Sequence, residues 1–346
     1  MAGPRVAILG ATGAVGEELI RVLEERDFPV ASLKLLASPR SAGRSLQFRG
    51  ERLPVEAVRP EAFRGIDLAF FSAGASVSRA YAPTALEAGA TVIDNSSAFR
   101  MDEGVPLVVP EVNGHLLEAG PQLIANPNCS TIIMVMALAP IRRAAGLRRV
   151  IVSTYQAVSG AGARAMEELQ AQLRAWIEGR PMEATILPYR DGKRHRPIAF
   201  NLLPQCDRFD ELGYTKEEWK LVHETRKILG DPDLAVTATT VRVPVLRSHS
   251  ESVYLETERP VEVEEVRELL SQAPGIQVWD DPEEQLYPTP LETSGKDPVF
   301  VGRIRKDPFV ETALSLWVVG DQIRKGAALN AVQIAEALAA PRGWRA

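Results

Sequence analysis

Unbroken apolar runs alternate with amphipathic stretches along the first third of the chain. The first run is Val6–Leu9, in a strand predicted over Arg5–Leu9, and a glycine-containing turn and a helical pattern to about Arg26 follow it. Continuous apolar runs are typical of strands that are buried on both faces of a parallel sheet. Further strands are predicted at Leu33–Ala37, Asp67–Ser72, Thr91–Ile93 and Leu107–Val108. Strands that alternate with helices predict a Rossmann-like, doubly wound α/β domain.

Beyond the middle of the chain, many segments alternate between apolar and polar positions and are rich in β-branched residues. The predicted strands are Arg149–Tyr155, Ala235–Val243, Glu251–Glu258, Val299–Arg305 and Thr312–Val319. The predicted helices are Ala163–Glu178, Thr215–Leu229 and Val263–Ser271. Runs of strands with few helices favour an α+β domain with a mixed or antiparallel sheet. The segment Asp280–Pro298, rich in proline and polar residues, is predicted to be a loop.

These patterns divide the chain into a first domain over residues 1–128, a second domain over residues 129–320 and a C-terminal segment over residues 321–346. Apolar residues at helical spacing predict a last helix over about Asp321–Ala340. We expect this helix to pack back on the first domain. A length of 346 residues is sufficient for two hydrophobic cores.

Composition and charge argue against several kinds of partner. The formal net charge of -5 gives no reason to expect nucleic acid or an anionic membrane surface. No apolar run is long enough to span a bilayer, and the N-terminus has no signal-peptide features. Two cysteines are too few for a disulfide framework. We therefore expect a cytoplasmic protein, and no metal site is predicted.

One of the two cysteines stands where a strand pattern passes into a helix pattern. Cys129 lies within Asn126–Thr131, between the apolar runs Leu123–Ala125 and Ile132–Ala139. The amides and the dipole at a helix N-terminus favour an anion, so a thiol there loses its proton more easily and becomes a nucleophile. The same amides could hold an oxyanion on a carbonyl that the sulfur attacks. The alternative is a small buried residue that packs the start of the helix.

The turn after the first predicted strand carries glycines at Gly10, Gly13 and Gly16. Between a strand and a helix, glycines let the backbone approach a pyrophosphate at the helix N-terminus. The spacing departs from Gly-x-Gly-x-x-Gly, and a tight structural turn is the alternative. The predicted cofactor contacts of this loop are Gly10, Thr12, Gly13, Ala14 and Val15.

The end of the second predicted strand indicates which dinucleotide is bound. An NAD enzyme usually has an acid there for the ribose 2′-hydroxyl, and Leu35–Ser41 contains none. Ser38, Arg40 and Ser41 can instead hydrogen-bond a 2′-phosphate, to which Arg40 adds its charge. NADP is therefore the predicted cofactor, and a solvated loop is the alternative.

Four motifs, in their order along the chain, resemble those of the aspartate-β-semialdehyde dehydrogenase family. They are the glycine loop, Asn128–Thr131, Gln156–Gly162 and Arg242–His249, and the likeness continues to Lys325–Ala328. It implies a fold like that of glyceraldehyde-3-phosphate dehydrogenase, with an NADP-binding first domain and a catalytic and dimerisation domain. The implied reaction is the reversible NADPH-dependent reduction of β-aspartyl phosphate to aspartate semialdehyde and phosphate, on the route to lysine, threonine, methionine and isoleucine.

The resemblance implies roles for the residues of these motifs. Cys129 would attack the acyl phosphate and form a thioester, next to Asn128. His249 matches the family's acid/base position, and histidine titrates in a suitable range. Gln156 would orient the substrate. Arg242 matches the carboxylate clamp, since a guanidinium can pair with a carboxylate through two hydrogen bonds.

Further contacts are implied outside these motifs. Glu217 and Lys220 lie three residues apart and share a helix face. By resemblance, Glu217 meets the substrate amino group, whereas Lys220 and Arg100 meet the phosphate. Without the resemblance, the simpler interpretation of Glu217 and Lys220 is a solvated ion pair, and that of Arg100 is a surface charge. The implied nicotinamide contacts are Ser159, Gly160 and Gln322.

Three other interpretations stay open. N-acetyl-γ-glutamyl-phosphate reductase has similar chemistry, but it usually has glycine where this chain has Asn128, and its acylated amine leaves Glu217 little to hold. Glyceraldehyde-3-phosphate dehydrogenase usually binds NAD through an acid that is missing here. A non-catalytic NADP-binding regulatory protein would have no need of both Cys129 and His249.

The strands between Ala235 and Val319 also predict self-association. One face of their sheet can cover helices of the same domain, whereas a large exposed apolar face is unusual on a monomer. We therefore expect a homodimer, possibly a homotetramer, formed through this sheet. Alternatively, the loop Asp280–Pro298 covers that face within one chain.

Overall fold

Two compact units make up the chain in the computed structural model, which describes residues 3–344. The first unit extends to Asn128 and resumes at Ala327, and the second covers Cys129–Gly326. Each unit has a sheet of its own.

The described part of the first unit forms a seven-stranded sheet. Its strands are β1 (Arg5–Leu9), β2 (Ser32–Ala37), β3 (Ser45–Phe48), β4 (Glu51–Ala57), β5 (Leu68–Phe71), β6 (Thr91–Asp94) and β7 (Leu123–Ala125). Their spatial order is β3-β4-β2-β1-β5-β6-β7, and neighbours are parallel except β3 with β4. Because β1 lies between β2 and β5, the order of winding reverses there, which opens a crevice at the carboxyl ends of the strands. The Rossmann-like, doubly wound arrangement is thus confirmed.

Alternate residues of β1 enter two different cores. Helices α1 (Ala14–Glu25), α2 (Ala75–Glu87) and α3 (Pro110–Asn113) belong to this unit. Val6 and Ile8 pack with α1 and with the C-terminal helix of the chain, whereas Ala7 and Leu9 pack in the opposite cluster with α2. Burial on both faces explains why this strand is an unbroken apolar run.

The sheet of the second unit is mixed, as the sequence predicts. Its strands are β8 (Arg149–Gln156), β9 (Ala235–Arg242), β10 (His249–Glu256), β11 (Ile276–Val278), β12 (Val299–Lys306) and β13 (Ala313–Gly320). They lie in the order β11-β12-β13-β10-β8-β9. The pairs β8 with β9 and β11 with β12 are parallel, and the other pairs are antiparallel.

Five α-helices within residues 3–344 belong to the second unit. They are α4 (Cys129–Ala145), α5 (Ala163–Ile177), α6 (Lys216–Leu229), α7 (Val263–Ser271) and the short α8 (Pro290–Thr293); α9 (Leu329–Arg342) is the C-terminal helix of the first unit. The cysteine helix α4 packs against α6, α7 and the strands β10, β12 and β13. On β8, Val152 and Thr154 are buried, whereas Ile151 and Tyr155 on the other face are 41% and 37% exposed. Residues on the open face therefore alternate along the strand with residues on the core face, as is typical of half-buried strands.

Two secondary-structure predictions need correction, and one hairpin was not predicted. Leu107–Val108 is not a strand but contributes a single bridge from Leu107 to Ala125, because α3 begins at Pro110. The hairpin of β3 and β4 was not predicted, since its residues are mostly polar and exposed at the sheet edge. The last helix begins at Leu329 instead of near Asp321, because the Asp321 carboxylate accepts from the amides of Ile323 and Arg324 and a π-helical turn follows.

The last helix, α9, packs against α1 and α3 of the first unit. In the second unit, β10 begins at His249, two residues before the strand predicted at Glu251. No helix within residues 3–344 combines the length and the apolarity that crossing a membrane requires.

Candidate active site

The sulfur of Cys129 and the imidazole of His249 face each other in the second unit. Helix α4 begins at the cysteine, and the histidine is the first residue of β10. Their closest atoms, Sγ and Nε2, are 3.4 Å apart. A thiol at a helix N-terminus beside an imidazole is an arrangement suited to a nucleophile.

His249 is fully buried and carries no charge at neutral pH. Burial lowers its pKa to about 3; the Arg242 guanidinium acts in the same direction, and Glu217 acts against it. The ring is held from the side away from the sulfur, where the Ala157 amide donates to Nδ1 over 3.0 Å. Of the other three histidines, His115 and His223 are exposed and His195 is half-buried.

Arg242 lies at the end of β9, where the backbone and a glycine define its position. Its Nη1 donates to the carbonyl of Ala157 over 2.8 Å, and its own amide and carbonyl pair with those of Leu203. Gly160 packs directly against the guanidinium and against His249. The clamp and the histidine are therefore tied to the same turn after β8.

A line of hydrogen bonds connects α4 with α6. Nε2 of Gln156 donates to the Ser130 hydroxyl over 2.6 Å and to Oε1 of Glu217 over 3.2 Å. The other carboxylate oxygen of Glu217 accepts from Nζ of Lys220 over 2.8 Å. The structure thus brings three of the residues implied for substrate binding, Gln156, Glu217 and Lys220, into one connected group.

Glu218 was not identified from the sequence, although it sets the position of this group. Its Oε2 accepts from the amide of Thr215 over 2.6 Å, and its Oε1 accepts from the amide of Thr240 on β9 over 2.9 Å. The Thr215 hydroxyl accepts in return from the Glu218 amide. This capping box joins the start of α6 to the sheet, and the spacing Thr-x-x-Glu was the available signal.

The side-chain amide of Gln322 forms hydrogen bonds with two other residues of the second unit. Its Oε1 accepts from the amide of Ser248 over 2.8 Å, and its Nε2 donates to the hydroxyl of Ser159. Ser248, next to His249, has a positive φ of 71°. Gln322 thereby joins the turn that contains Ser159 to the turn that precedes the histidine.

In the first unit, the glycine loop lies at the carboxyl end of β1. Gly10 has a φ of 95°, and a Cβ atom there would be 2.5 Å from the carbonyl oxygen of Ser72. Helix α1 begins at Ala14 without a side-chain cap. Its first amides are therefore suited to a phosphate, and Thr12 and Val15 are partly exposed beside them. The close approach of Gly10 to Ser72 shows that the turn after β5 also borders this crevice. The sequence did not indicate a role for that turn.

The loop after β2 has the composition that the cofactor prediction requires. Ser38 and Arg40 are exposed, Ser41 is half-buried, and the Ser41 amide donates to the Ser38 carbonyl in a tight turn. A guanidinium and two hydroxyls on such a turn fit a phosphate monoester.

Arg100 is buried in the first unit and is held by backbone carbonyls. Its Nε donates to Asn126 and its Nη2 to Asn95, each over 2.9 Å. The Asn126 side chain is bonded in turn to those of Asn95 and Asn330. This amide network was not predicted, and its only sequence signal was the position of Asn126 in the cysteine motif. Asn128, the last residue before the chain passes into the second unit, is also buried.

Cys206 is buried, and burial raises the pKa of its thiol to about 11. At neutral pH it is therefore a thiol with little nucleophilic character. Cys129 is the more accessible of the two.

Comparison with known proteins assigns both units to one family. A family model described as "Semialdehyde dehydrogenase, NAD binding domain" matches residues 5–119, and one described as "Semialdehyde dehydrogenase, dimerisation domain" matches residues 138–325. An aspartate-semialdehyde dehydrogenase of Aquifex aeolicus is 56% identical over 340 residues, which cover 97% of this chain and 98% of that protein.

Solved structures agree with this match. Aspartate semialdehyde dehydrogenase II from Vibrio cholerae, complexed with ASA, has a TM-score of 0.93 and 46% identity, with 98% of this chain and 99% of that chain covered. The enzyme of Candida albicans with NADP has a TM-score of 0.74 and 27% identity, with 99% of each chain covered. The chain therefore belongs to the aspartate-semialdehyde dehydrogenase family.

Proposed function

We propose that this protein catalyses the reversible NADP-dependent reduction of β-aspartyl phosphate to aspartate semialdehyde and phosphate through a thioester on Cys129. The observation that carries the proposal is the 3.4 Å approach of Sγ of Cys129 to Nε2 of His249 at the start of α4, beside Arg242. A nucleophile, a hydrogen-bonding imidazole and a carboxylate clamp are the groups that acyl transfer from an acidic substrate needs.

The thioester forms when the Cys129 sulfur bonds to the acyl carbon and the bond from that carbon to the phosphate oxygen breaks. The amides at the start of α4 point toward the charge that develops on the carbonyl oxygen. NADPH, when bound, supplies the hydride that reduces the thioester. His249 acts at the oxygen of the resulting sulfur-bound adduct through Nε2.

The substrate is recognised through its charges. Arg242 pairs with the α-carboxylate, since its guanidinium offers a planar fork. Glu217 accepts from the amino group, and Gln156 holds Glu217 in position from the side of β8. Lys220 and Arg100 contact the phosphate. A free amino group is what separates this substrate from an N-acetylated one, so Glu217 gives the site its preference.

NADP is preferred over NAD through Ser38, Arg40 and Ser41. Support comes from the exposed guanidinium on the turn after β2 and from the lack of an acid in Leu35–Ser41. The glycine loop and the turn after β5 hold the pyrophosphate. Ser159, Gly160 and Gln322 border the nicotinamide.

The protein assembles as a homodimer through the open face of the second sheet. On that face Ile151 and Tyr155 are exposed, and the half-buried Trp317 packs against Tyr155 with the ring centroids 5.4 Å apart while its Nε1 donates to the carbonyl of Pro288. The match of residues 138–325 to a family model described as a dimerisation domain supports assembly through this unit. Sedimentation equilibrium at micromolar protein should give a mass of twice the 37.8 kDa of one chain. A single species with the mass of one chain would contradict the proposal.

The activity belongs in the cytoplasm, where a catalytic thiol stays reduced. A spectrophotometric assay of phosphate-dependent NADP reduction tests the function, with aspartate semialdehyde and N-acetylglutamate semialdehyde compared side by side. Turnover is expected with the first aldehyde only. Turnover of the acetylated aldehyde alone would identify an N-acetyl-γ-glutamyl-phosphate reductase. Turnover of neither aldehyde would favour a non-catalytic regulatory protein.

A further inference from the structure

Asp321 is fully buried, and its carboxylate joins three segments of the second unit. It follows β13 directly. Its Oδ1 accepts from the amides of Ile323 and Arg324 over 2.9 and 3.1 Å. Its Oδ2 accepts from the amide of Gly295 over 2.6 Å and from Nε of Arg247. Hydrogen-bond donors therefore face both oxygens of the side chain.

On one side, this carboxylate holds the two residues that precede His249. Arg247 is bound through its side chain, and the amide of Ser248 donates over 2.8 Å to Oε1 of Gln322, the residue after Asp321. Ser248 has a φ of 71°, a left-handed conformation that costs free energy in a residue with a Cβ atom. Such a conformation persists only where the surrounding structure holds it. These two bonds supply that support directly before the histidine.

The end of α8 contacts the same turn. The hydroxyl oxygen of Ser248 lies 3.1 Å from that of Thr293 and 3.3 Å from that of Ser294. The next residue along the chain, Gly295, is the one whose amide donates to Asp321. The carboxylate therefore also holds the backbone of the loop that contacts Ser248.

On the other side, the chain around Asp321 packs against Cys129. The carbonyl of Asp321 accepts from the amide of Gly326 over 3.1 Å, which closes the turn of residues 321–326. A Cβ atom on Gly326 would be 3.1 Å from Cβ and 3.3 Å from Cα of Cys129. Gly320, the residue before Asp321, is paired with His249 in the sheet. One short segment thus contacts both members of the pair whose Sγ and Nε2 are 3.4 Å apart.

We propose that Asp321 is the positioning residue of the Cys129–His249 pair. It sets the 3.4 Å approach of sulfur and imidazole, because it holds the turn at Arg247 and Ser248 on the histidine side and residues 321–326 on the cysteine side. It acts through these contacts and is not itself a catalytic residue. The proposal rests on the proposed function, to which it adds the group that keeps nucleophile and imidazole at hydrogen-bonding distance.

An asparagine in place of Asp321 keeps the shape of the side chain but cannot keep its bonds. Its amide has one acceptor oxygen, and its NH₂ group can only donate. The amides of Ile323 and Arg324 face one carboxylate oxygen, whereas Arg247 and Gly295 face the other. Either orientation of the amide therefore releases one side, and we expect the imidazole and the sulfur to move apart.

The pH dependence of Cys129 alkylation by iodoacetamide reports on this distance without substrate or cofactor. A thiol loses its proton more easily beside an imidazole, so withdrawal of the ring should raise the midpoint. In Asp321→Asn we expect a rise of about one pH unit, the effect of losing a hydrogen bond to a charged group. Mass spectrometry identifies the alkylated cysteine, and Cys206 is buried.

The other charged groups near the histidine lie on other elements and keep their own contacts in this variant. Arg242 on β9 donates to the carbonyl of Ala157, and Glu217 on α6 accepts from Gln156. A change in the midpoint therefore reports on the imidazole and the sulfur.

Asp297→Asn is the matched control. The Asp297 carboxylate binds the same segment, since its Oδ1 accepts from Nε of Arg324 over 2.7 Å. The substitution weakens the hold on residues 321–326 but leaves the pair of Asp321 and Arg247 in place, so the midpoint should stay at that of the parent. An equal rise in both variants, or an unchanged midpoint in folded Asp321→Asn, would overturn the proposal.

Ser248→Gly separates positioning from a general loss of stability. Glycine adopts a φ of 71° without strain, so the turn no longer depends on Asp321. In the double variant with Asp321→Asn, the midpoint should return to that of Ser248→Gly alone. A merely structural role would change the midpoint of urea unfolding and not the pH midpoint of the folded protein. A pH midpoint that stays raised in the double variant would contradict the proposal.

The Arg247 end of the pair provides a test that holds even if Asp321→Asn does not fold. Arg247→Leu removes the donor and should raise the alkylation midpoint. Arg247→Gln keeps a side-chain N–H at the same number of bonds from Cα as Nε of arginine, and it should stay close to the parent. Equal midpoints in these two variants would exclude the bond to Asp321 as the cause.

Steady-state kinetics distinguish positioning from substrate binding. Asp321→Asn should lower kcat by about 100-fold, the cost of a displacement of the order of 1 Å, and should leave KM for aspartate semialdehyde nearly unchanged. A loss that appears in KM instead would contradict the proposal. Alkylation needs neither substrate nor turnover. Failure of the aldehyde assay would therefore count against the proposed function, whereas an unshifted alkylation midpoint would count only against Asp321.

Discussion

Gly160 lies so close to Arg242 that a Cβ atom on this glycine would be 2.8 Å from Nη1 of the guanidinium. The same atom would be 3.1 Å from Cε1 of His249. Real Cβ atoms essentially never approach other atoms within 3.0 Å. The closeness of the Arg242 and His249 side chains therefore requires a glycine here, and both side chains pack against the turn after β8.

Gly160→Ala should lower kcat/KM by about 100-fold, because a displacement of the order of 1 Å in positioned groups costs that much. The backbone at this residue is outside the left-handed region, so the loss of stability should be small. Steady-state kinetics and urea unfolding measure the two effects.

Gly162→Ala is the matched control for that variant. This glycine has a φ of 93° and nothing within 4 Å of its Cβ position, so alanine there is strained but clashes with no side chain. It should cost about 1–3 kcal/mol of stability and affect catalysis less. The same loss of kcat/KM in both variants would show that the closeness of Gly160 to Arg242 is not the cause.

Cys129→Ser should lower turnover by more than about 10³-fold, because both the thiolate and the thioester are lost. NADP binding, followed by fluorescence titration, should stay close to that of the parent. Cys206→Ser serves as the control, since its buried thiol is protonated at neutral pH. Comparable inactivation of the two variants, or an active Cys129→Ser, would exclude the proposed nucleophile.

Arg40→Ala should weaken NADP binding by roughly 10- to 100-fold and leave NAD binding nearly unchanged, because a charge-assisted hydrogen bond to phosphate contributes about 1.5–3 kcal/mol. Isothermal titration with each cofactor measures the difference. Arg52→Ala, which removes another exposed charge of the same unit, should change neither affinity much. Equal losses for NADP and NAD would refute a contact between Arg40 and the 2′-phosphate.

Glu251→Gln should make the protein more stable than its parent as the pH rises. Burial raises the pKa of this carboxyl above the value of 4.5 expected in the unfolded chain. Between these two values the folded state holds a proton that the unfolded state has lost, so stability falls by about 1.4 kcal/mol per pH unit in that window. Glutamine removes this dependence.

Urea unfolding at several pH values from 4 upward checks the effect. Parent and variant should differ little below the unfolded pKa and should diverge above it. Glu256→Gln, at the partly exposed end of the same strand, is the control for the substitution itself. A parent that gains stability relative to Glu251→Gln as the pH rises would show that the folded protein holds Glu251 ionised.

The sequence by itself determined those features that depend on neighbouring residues. The apolar run Val6–Leu9 predicted a strand buried on both faces, and the glycine loop after it predicted a turn into a helix. Cys129 could be placed at a helix start because the strand run Leu123–Ala125 ends four residues before it. The motifs from Asn128 to His249 were enough to indicate the family, since their order along the chain is itself specific.

Only the tertiary structure decided how these residues meet. The Ala157 peptide that orients His249, the Glu218 carboxylate that joins α6 to β9, and the asparagine network under Arg100 are all contacts between segments far apart in sequence. No local sequence pattern predicts them, because the residues around an alanine or asparagine do not indicate which distant segment it will contact. The polar hairpin of β3 and β4 was missed for a related reason: its strands exist through pairing at a sheet edge and bury little apolar surface of their own.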